Sequence, residues 1–131
     1  MTTNTDTYGL THLALAVKDI ERTKQFYQHV FQMEVMYLQE NFLQLTTPGS
    51  NDILVFEKRE VQHPDNTGGI AHFGFRLKQP SDIERLRERI VAAGAPITDE
   101  GEFVKGSPYI FFKDPDGYLI EVWYEMVNSE L

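Results

Sequence analysis

The sequence predicts an α+β fold built from two similar βαβββ modules, and three observations support this. Residues 9–15 (GLTHLAL) and 69–75 (GIAHFGF) repeat one order of glycine, apolar, small, histidine, apolar, small and apolar residues. Each stretch is followed by a helical pattern and then by three short strand-like runs. The fragment Asp-Ile-Glu-Arg also recurs, at 19–22 and 82–85. The two halves therefore have the same predicted order of elements.

In the first half, the opening strand is followed by a helix and three strands. Asp19 stands where an N-cap is expected, directly before apolar residues at helical spacing. Those residues are Ile20, Phe26, Tyr27, Val30 and Phe31. Apolar and β-branched runs then predict strands at 34–39, 41–46 and 52–58.

The second half has the same order. Residues 81–84 (SDIE) match a capping box, and the helical pattern that follows ends before Gly94 and Pro96. Strands are predicted at 96–98, 109–113 and 118–124. Residues 114–117 (DPDG) have the composition of a turn.

A turn-rich segment, residues 63–69, separates the two halves and is interpreted as a linker. We therefore expect a single domain, residues 1–131, with a first module at 8–60 and a second at 68–126. Two open half-sheets in one chain are expected to close around a shared interior.

Composition excludes several classes of function. The chain has 131 residues, 41% of them hydrophobic and 12% aromatic, which is enough to close a core. It has no cysteine, so disulfide scaffolds and thiolate chemistry are excluded. The net charge of −8 and the scattered Lys and Arg argue against nucleic acid. Without a long apolar run or a signal-peptide pattern at the start, we expect a cytoplasmic protein with no membrane association.

Strand alternation indicates where the repeated histidines point. It places His12 and His72 on strand faces that otherwise carry mostly small residues, opposite faces of large apolar residues. In the last strand, Glu121 lies opposite the core-type residues Ile120 and Val122. Two imidazoles and a carboxylate on inward sheet faces suit a divalent metal with open positions for water or substrate.

Each of these residues also has a simpler interpretation. A single strand histidine is more often an interior or rim residue than a ligand, and Glu121 alone could be a surface charge. The equivalent placement of His12 and His72 in both halves favours the metal hypothesis, because a polar group on a sheet face is costly to keep. His29 and His63 have no equivalent in the other half and are expected to face solvent.

Three stretches then carry a resemblance to a known family. They are residues 12–35 (HLALAVKDIERTKQFYQHVFQMEV), 69–77 (GIAHFGFRL) and 111–125 (FFKDPDGYLIEVWYE). From residue 9 to 125 the sequence resembles the vicinal oxygen chelate superfamily, which includes glyoxalase I, bleomycin-resistance proteins, extradiol dioxygenases, methylmalonyl-CoA epimerases and fosfomycin-modifying enzymes.

The resemblance implies a curved, mostly antiparallel sheet around a metal pocket. His12, His72 and Glu121 stand at the matching ligand positions, for one divalent ion per site (Zn, Ni, Co, Mn or Fe(II)). It also implies a homodimer, because small members of this type often bind each metal with residues from two chains.

Within the superfamily, residues 104–122 are most similar to the corresponding segment of bacterial glyoxalase I. Extradiol dioxygenases and fosfomycin thiol transferases tend to have a tyrosine ten residues before the terminal glutamate, where this chain has Phe111. Glyoxalase I also uses a fourth ligand, a glutamate, where this chain has Leu54 and Val55. Glu57 is a possible fourth ligand if the strand register is shifted by two residues.

The resemblance therefore implies a metal-dependent enzyme for a small organic substrate with vicinal oxygens. The first hypothesis is a lyase or isomerase like lactoylglutathione lyase, working through a metal-stabilised enediolate, with Glu121 as ligand and candidate base. Candidate substrate-binding residues are Lys105, Tyr109, Phe111 and Trp123. The alternatives are a non-haem Fe(II) extradiol-type dioxygenase and a metal-free, drug-sequestering dimer of the bleomycin-resistance kind.

Overall fold

The computed structural model describes residues 4–60 and 67–126, which form two βαβββ modules. The first contains β1 (Leu13–Val17), α1 (Ile20–Phe31), β2 (Glu34–Gln39), β3 (Phe42–Thr46) and β4 (Leu54–Lys58). The second contains β5 (Phe73–Arg76), α2 (Asp82–Ala92), β6 (Ile97–Glu102), β7 (Pro108–Lys113) and β8 (Leu119–Trp123). The predicted α+β fold is confirmed. His63 and much of the predicted linker lie outside the described residues.

Each module forms a four-stranded mixed sheet. The strand orders are β1-β4-β3-β2 and β5-β8-β7-β6, so the first and last strands of each module are neighbours. These two strands pair in parallel, and the other pairs are antiparallel. Ala14 pairs with Val55 in the first sheet, and Gly74 pairs with Glu121 in the second. These two pairs occupy equivalent places in the repeat.

The N-cap prediction is confirmed for α1 and wrong for α2. Asp19 caps α1 as predicted, because its Oδ1 accepts a hydrogen bond from the Arg22 amide at 3.0 Å. The capping box at Ser81 was wrong: Ser81 is already helical (φ −67°), and in the described chain its side chain makes no capping bond. The Asp82 carboxylate instead accepts from the Gln79 amide at 3.2 Å, so the chain turns before it reaches Ser81.

Both helices lie in one core shared by the two sheets. Two rings of α1 contact different sheets. The Phe31 ring stacks on Phe75 of the second sheet with ring centroids 3.7 Å apart, and the Tyr27 ring packs on Phe56 of the first sheet with centroids 4.9 Å apart. The core sides of both sheets therefore contact the same helix. The opposite faces, here called the open faces, point away from this core. None of the described helices is long and apolar enough to cross a membrane.

The predicted turn at residues 114–117 is confirmed, and it also joins the two modules. Asp114 Oδ1 accepts from the amides of Asp116 and Tyr118 at 2.9 and 3.0 Å. Its Oδ2 accepts from the Tyr27 hydroxyl of α1 at 2.7 Å. Asp116 Oδ1 accepts from the Lys18 amide at 2.9 Å. Polar contacts with the first module therefore hold the turn in place.

The buried carboxyl group of Asp114 should make stability depend on pH. Burial raises the pKa of Asp114 to about 6, against hydrogen bonds from Tyr27 and two amides that lower it. The folded state therefore binds this proton more tightly than the unfolded state, and the resulting stability is lost as pH rises from about 4 through about 6. The free energy of unfolding of the wild type, measured relative to that of Asp114→Asn, should therefore fall by roughly 1–3 kcal/mol between pH 4 and pH 7.

This prediction is checked by measuring the free energy of unfolding in urea across that pH range. All other ionisable groups are common to the two proteins, so their contributions cancel in the difference. Glu84→Gln, at an exposed position of α2, is the control and should show no such trend. A difference between wild type and Asp114→Asn that stays constant with pH would contradict the prediction.

Candidate metal centre

His72 and Glu121 lie together on the open face of the second sheet. His72 directly precedes β5, and Glu121 is the third residue of the neighbouring strand β8. Because Gly74 pairs with Glu121, residues 72, 74 and 121 share one face. The His72 Nε2 atom lies 3.5 Å from Glu121 Oε1, with the two side chains 44% and 12% exposed. The pair is thus accessible from solvent on the side away from the helices.

The donor atoms fit a divalent cation. Imidazole nitrogen and carboxylate oxygen bind such ions at about 2.0–2.2 Å. Two ligands at that distance from one ion are separated by roughly 3–3.5 Å, close to the separation seen here. Burial raises the pKa of Glu121, and the His72 charge opposes this shift. Because this pKa is raised, a cation that binds here competes with a proton for Glu121 up to a higher pH than it would at an exposed glutamate.

Gly74 allows the close approach of the strands that carry this pair. A methyl group at Gly74 would lie 3.0 Å from the Glu121 carbonyl oxygen and 3.5 Å from Glu121 Cβ. The backbone of β8 would have to move by a few tenths of an ångström to accept it. The glycine thus fixes the position of Glu121 relative to His72.

We therefore expect Gly74→Ala to lower metal affinity about tenfold or more, because the two ligands lose their relative placement. Isothermal titration with Mn(II) or Zn(II) measures the effect. Gly101→Ala is the matched control, since the methyl added in β6 meets only the Tyr109 ring and hydroxyl, at 3.4 Å or more. Equal affinities for the two variants would contradict the expectation.

His12 lies on the open face of the first sheet, away from this pair. It directly precedes β1, and its Nδ1 atom is 2.7 Å from the Thr11 hydroxyl. It lines a groove of about 550 Å³ between the start of β1, the loop before β4 and the edge of β5. Residues 4–60 and 67–126 contain no group of three or more His, Asp or Glu placed to hold a metal. One chain therefore brings together two of the three expected ligands.

Glu57 shares the open face with Val55 and His12. It lies two residues after Val55 in β4. Val55 occupies the place that Glu121 has in the second module, and it is only 5% exposed. Glu57 pairs with Ala16 and accepts from Arg59 at 2.7 and 3.1 Å. It would have to exchange this arginine for a cation in order to act as a fourth ligand.

The candidate substrate-binding aromatic residues lie beside the His72–Glu121 pair. Phe111 pairs with Glu121 and contacts the His72 ring edge-on, with centroids 5.3 Å apart. Tyr109 pairs with Trp123 on the same face. Sequence reasoning missed Phe103, whose ring stacks on that of Tyr109 with centroids 4.1 Å apart. It belongs to the turn between β6 and β7, where no strand or helix period could identify it. Lys105 is exposed in the same turn.

Comparison with known proteins gives consistent matches. Residues 9–122 match the Glyoxalase/Bleomycin resistance protein/Dioxygenase superfamily. Metallothiol transferase FosB of Shouchella clausii is 26% identical over an alignment of 116 residues, which covers 87% of this chain and 78% of the relative. Lactoylglutathione lyase GLX1 of Arabidopsis thaliana is 31% identical over an alignment of 122 residues, which covers 85% of this chain but only 42% of that protein.

Solved structures show the same fold. A point mutant of the fosfomycin resistance protein FosX from Listeria monocytogenes, complexed with Mn(II) and 1S,2S-dihydroxypropylphosphonic acid, aligns with a TM-score of 0.74. It is 26% identical, and the alignment covers 88% of this chain and 89% of that one. Metalloenzymes of more than one activity are thus among the relatives.

Proposed function

The chain belongs to the glyoxalase/bleomycin resistance/dioxygenase superfamily, and from this premise we propose a divalent-metal enzyme for a small organic substrate with two adjacent oxygens. The main support is the 3.5 Å approach of His72 Nε2 to Glu121 Oε1 on an open sheet face. Relatives with metal-dependent activities, including a FosX that binds Mn(II), add to it.

The third ligand in this proposal is His12 of a second copy of the chain. His12 and the His72–Glu121 pair lie on two open faces, which point away from the core that the sheets share. In a homodimer, the first sheet of one copy can face the second sheet of its partner. The set then comprises two imidazoles and one carboxylate, with positions left for a chelating substrate.

Each residue near the centre has a role in this proposal. A bound divalent cation supplies Lewis acidity to a substrate oxygen. His72 and Glu121 would hold the ion, and Glu121, if it detached from the ion, would also be the candidate base for a C–H proton next to a carbonyl. Phe111, beside the His72 ring, excludes water from one side of the pair. Lys105, exposed in the turn between β6 and β7, is the candidate for binding an anionic group of a substrate.

The reaction we favour is a glyoxalase-like lyase or isomerase step, which begins with removal of that proton. It is supported by 31% identity to a lactoylglutathione lyase, although the chain spans less than half of that protein. The test is conversion of the hemithioacetals of α-ketoaldehydes by the metal-loaded protein, with activity lost on chelation. A fully metallated protein that converts none of them would contradict this choice.

An extradiol-type dioxygenase is the second candidate, and Val55 favours it. With valine in the place equivalent to Glu121, the proposed ligand set is two histidines and one glutamate, the arrangement typical of non-haem Fe(II) oxygenases. Oxygen uptake with catechols, after anaerobic loading with Fe(II), tests this candidate. A protein that takes up no metal would instead fit the metal-free, drug-binding alternative.

A further inference from the structure

We infer that the substrate of this site carries a flat aromatic ring next to its two adjacent oxygens. The ring would lie against an aromatic wall formed by Phe103, Tyr109, Phe111 and Trp123. This inference rests on the proposed function, because it assumes a metal at the His72–Glu121 pair, and it adds the chemical class of the substrate.

The four rings form a continuous surface that ends at the metal ligands. Phe103 stacks on Tyr109, with centroids 4.1 Å apart and planes within 16°. Phe103 also meets Trp123 edge-on at 6.2 Å, and Tyr109 meets Phe111 edge-on at 5.7 Å. Phe111 in turn contacts the His72 ring at 5.3 Å. A molecule chelated at His72 and Glu121 would therefore have Phe111 directly beside it, with Tyr109 and then Phe103 further along the same surface.

The wall does not serve the hydrophobic core. Tyr109, Phe111 and Trp123 alternate along their strands with Ile110, Phe112 and Val122, which are buried in the core on the opposite face. Phe103 is 52% exposed although it stacks on a neighbour. Contiguous aromatic surface that is open to solvent indicates a binding site when it adjoins polar ligand groups.

The wall is also fixed before any ligand binds. The turn that carries Phe103 is closed by hydrogen bonds from the Phe103 amide to the Ser107 carbonyl (3.1 Å) and from the Ser107 amide to the Val104 carbonyl (2.9 Å). The Tyr109 hydroxyl donates to Asp99 Oδ2 at 3.1 Å. A pre-organised surface loses little conformational entropy on binding, which favours a rigid, flat partner.

Charge around the wall favours a neutral ring. Asp99 is hydrogen-bonded to Tyr109, and Glu102 accepts from the Gly106 amide at 2.9 Å within the Phe103 turn. A second anionic group at the far end of the substrate would meet two carboxylates and a single lysine, Lys105, so the net charge of this region is unfavourable to it. The favoured ligand thus has its oxygens at the metal and an uncharged aromatic ring at the wall. Catechols and adducts of aromatic α-ketoaldehydes share this chemistry.

Two hydroxamates test the inference, because both chelate through the same two adjacent oxygens. Benzohydroxamate carries a phenyl ring where acetohydroxamate carries a methyl group. Affinities for the Mn(II)-loaded protein are measured by calorimetry and by quenching of Trp123, the one tryptophan of the chain. After correction for their affinities for free Mn(II), we expect benzohydroxamate to bind about tenfold more tightly or better.

Phe103→Ala should reduce this preference to about two- to threefold, because the stacked face is lost. Metal content should stay at the wild-type level in that variant, and acetohydroxamate affinity should fall by a smaller factor than benzohydroxamate affinity. Val91→Ala, at an exposed apolar position on α2 (61% exposed), is the control and should keep the full preference. Phe103→Leu serves as a second variant if the alanine protein melts early.

The outcomes separate this inference from the proposed function. Metal-loaded wild type that binds the two hydroxamates equally well would overturn the inference and leave the metal site standing. A preference that survives both Phe103 variants unchanged would also overturn it. A protein that takes up no Mn(II) would overturn the proposed function first, and the inference with it. If the preference is found, catechol and phenylglyoxal hemithioacetal as substrates distinguish the two sources of the ring.

Discussion

Replacing His72 with alanine should lower the affinity for divalent metal by more than about 100-fold, since removal of an outer-shell partner of a ligand already costs 10- to 100-fold. His72 supplies one of the two donor atoms that one chain brings together, 3.5 Å from Glu121 Oε1. Its side chain is nearly half exposed and lies outside the core, so the variant should fold normally. Elemental analysis and titration with Mn(II) or Zn(II) measure the loss.

His29→Ala is the matched control for this experiment, because His29 is an exposed histidine on α1. It should retain wild-type metal content. Glu121→Gln keeps the size of the second ligand and removes its charge, so it should lose metal as His72→Ala does. If His72→Ala kept stoichiometric metal at wild-type affinity, the assignment of the centre would be refuted.

Mixing two inactive variants should restore metal binding if each centre is shared between two chains. His12→Ala and His72→Ala homodimers should each lack a complete ligand set. A mixed dimer contains one centre with both defects and one with intact His12, His72 and Glu121, so it should bind about one ion per dimer. Random assortment makes half of the dimers mixed, which gives roughly a quarter of the wild-type metal content per chain.

The measurement uses co-expression with two different affinity tags, purification of the doubly tagged dimer and elemental analysis. The control pair is His72→Ala with Glu121→Gln. Both changes fall in the second module, so no centre in that mixed dimer is complete and no metal should return. If the His12→Ala and His72→Ala mixture also failed to recover metal, a centre between two chains would be excluded.

Strand alternation predicted the strand faces of two of the three candidate ligands. The sequence predicts that His72 and Glu121 lie opposite the apolar core positions, and both side chains point away from the helices. The same reasoning gave the wrong extent for β6, which was predicted at 96–98 but spans Ile97–Glu102. Its residues are mostly polar and exposed, and the strand forms because its backbone pairs with β7. The alternation of apolar and polar side chains does not reveal backbone pairing of this kind.

The repeated sequence pattern by itself determined the module order, the helix positions and the faces on which the histidines stand, because these follow from local periodicity. Tertiary structure decided the strand register, the turn geometry and the packing of the helices, which local periodicity does not predict. Strand register placed Val55 in the position equivalent to Glu121, and turn geometry brought Phe103 onto Tyr109. Packing of α1 against both sheets turned their open faces outward, which keeps His12 from joining His72 and Glu121 within one chain. Each of these depends on contacts between residues far apart in the chain, and such contacts are fixed only when the core closes.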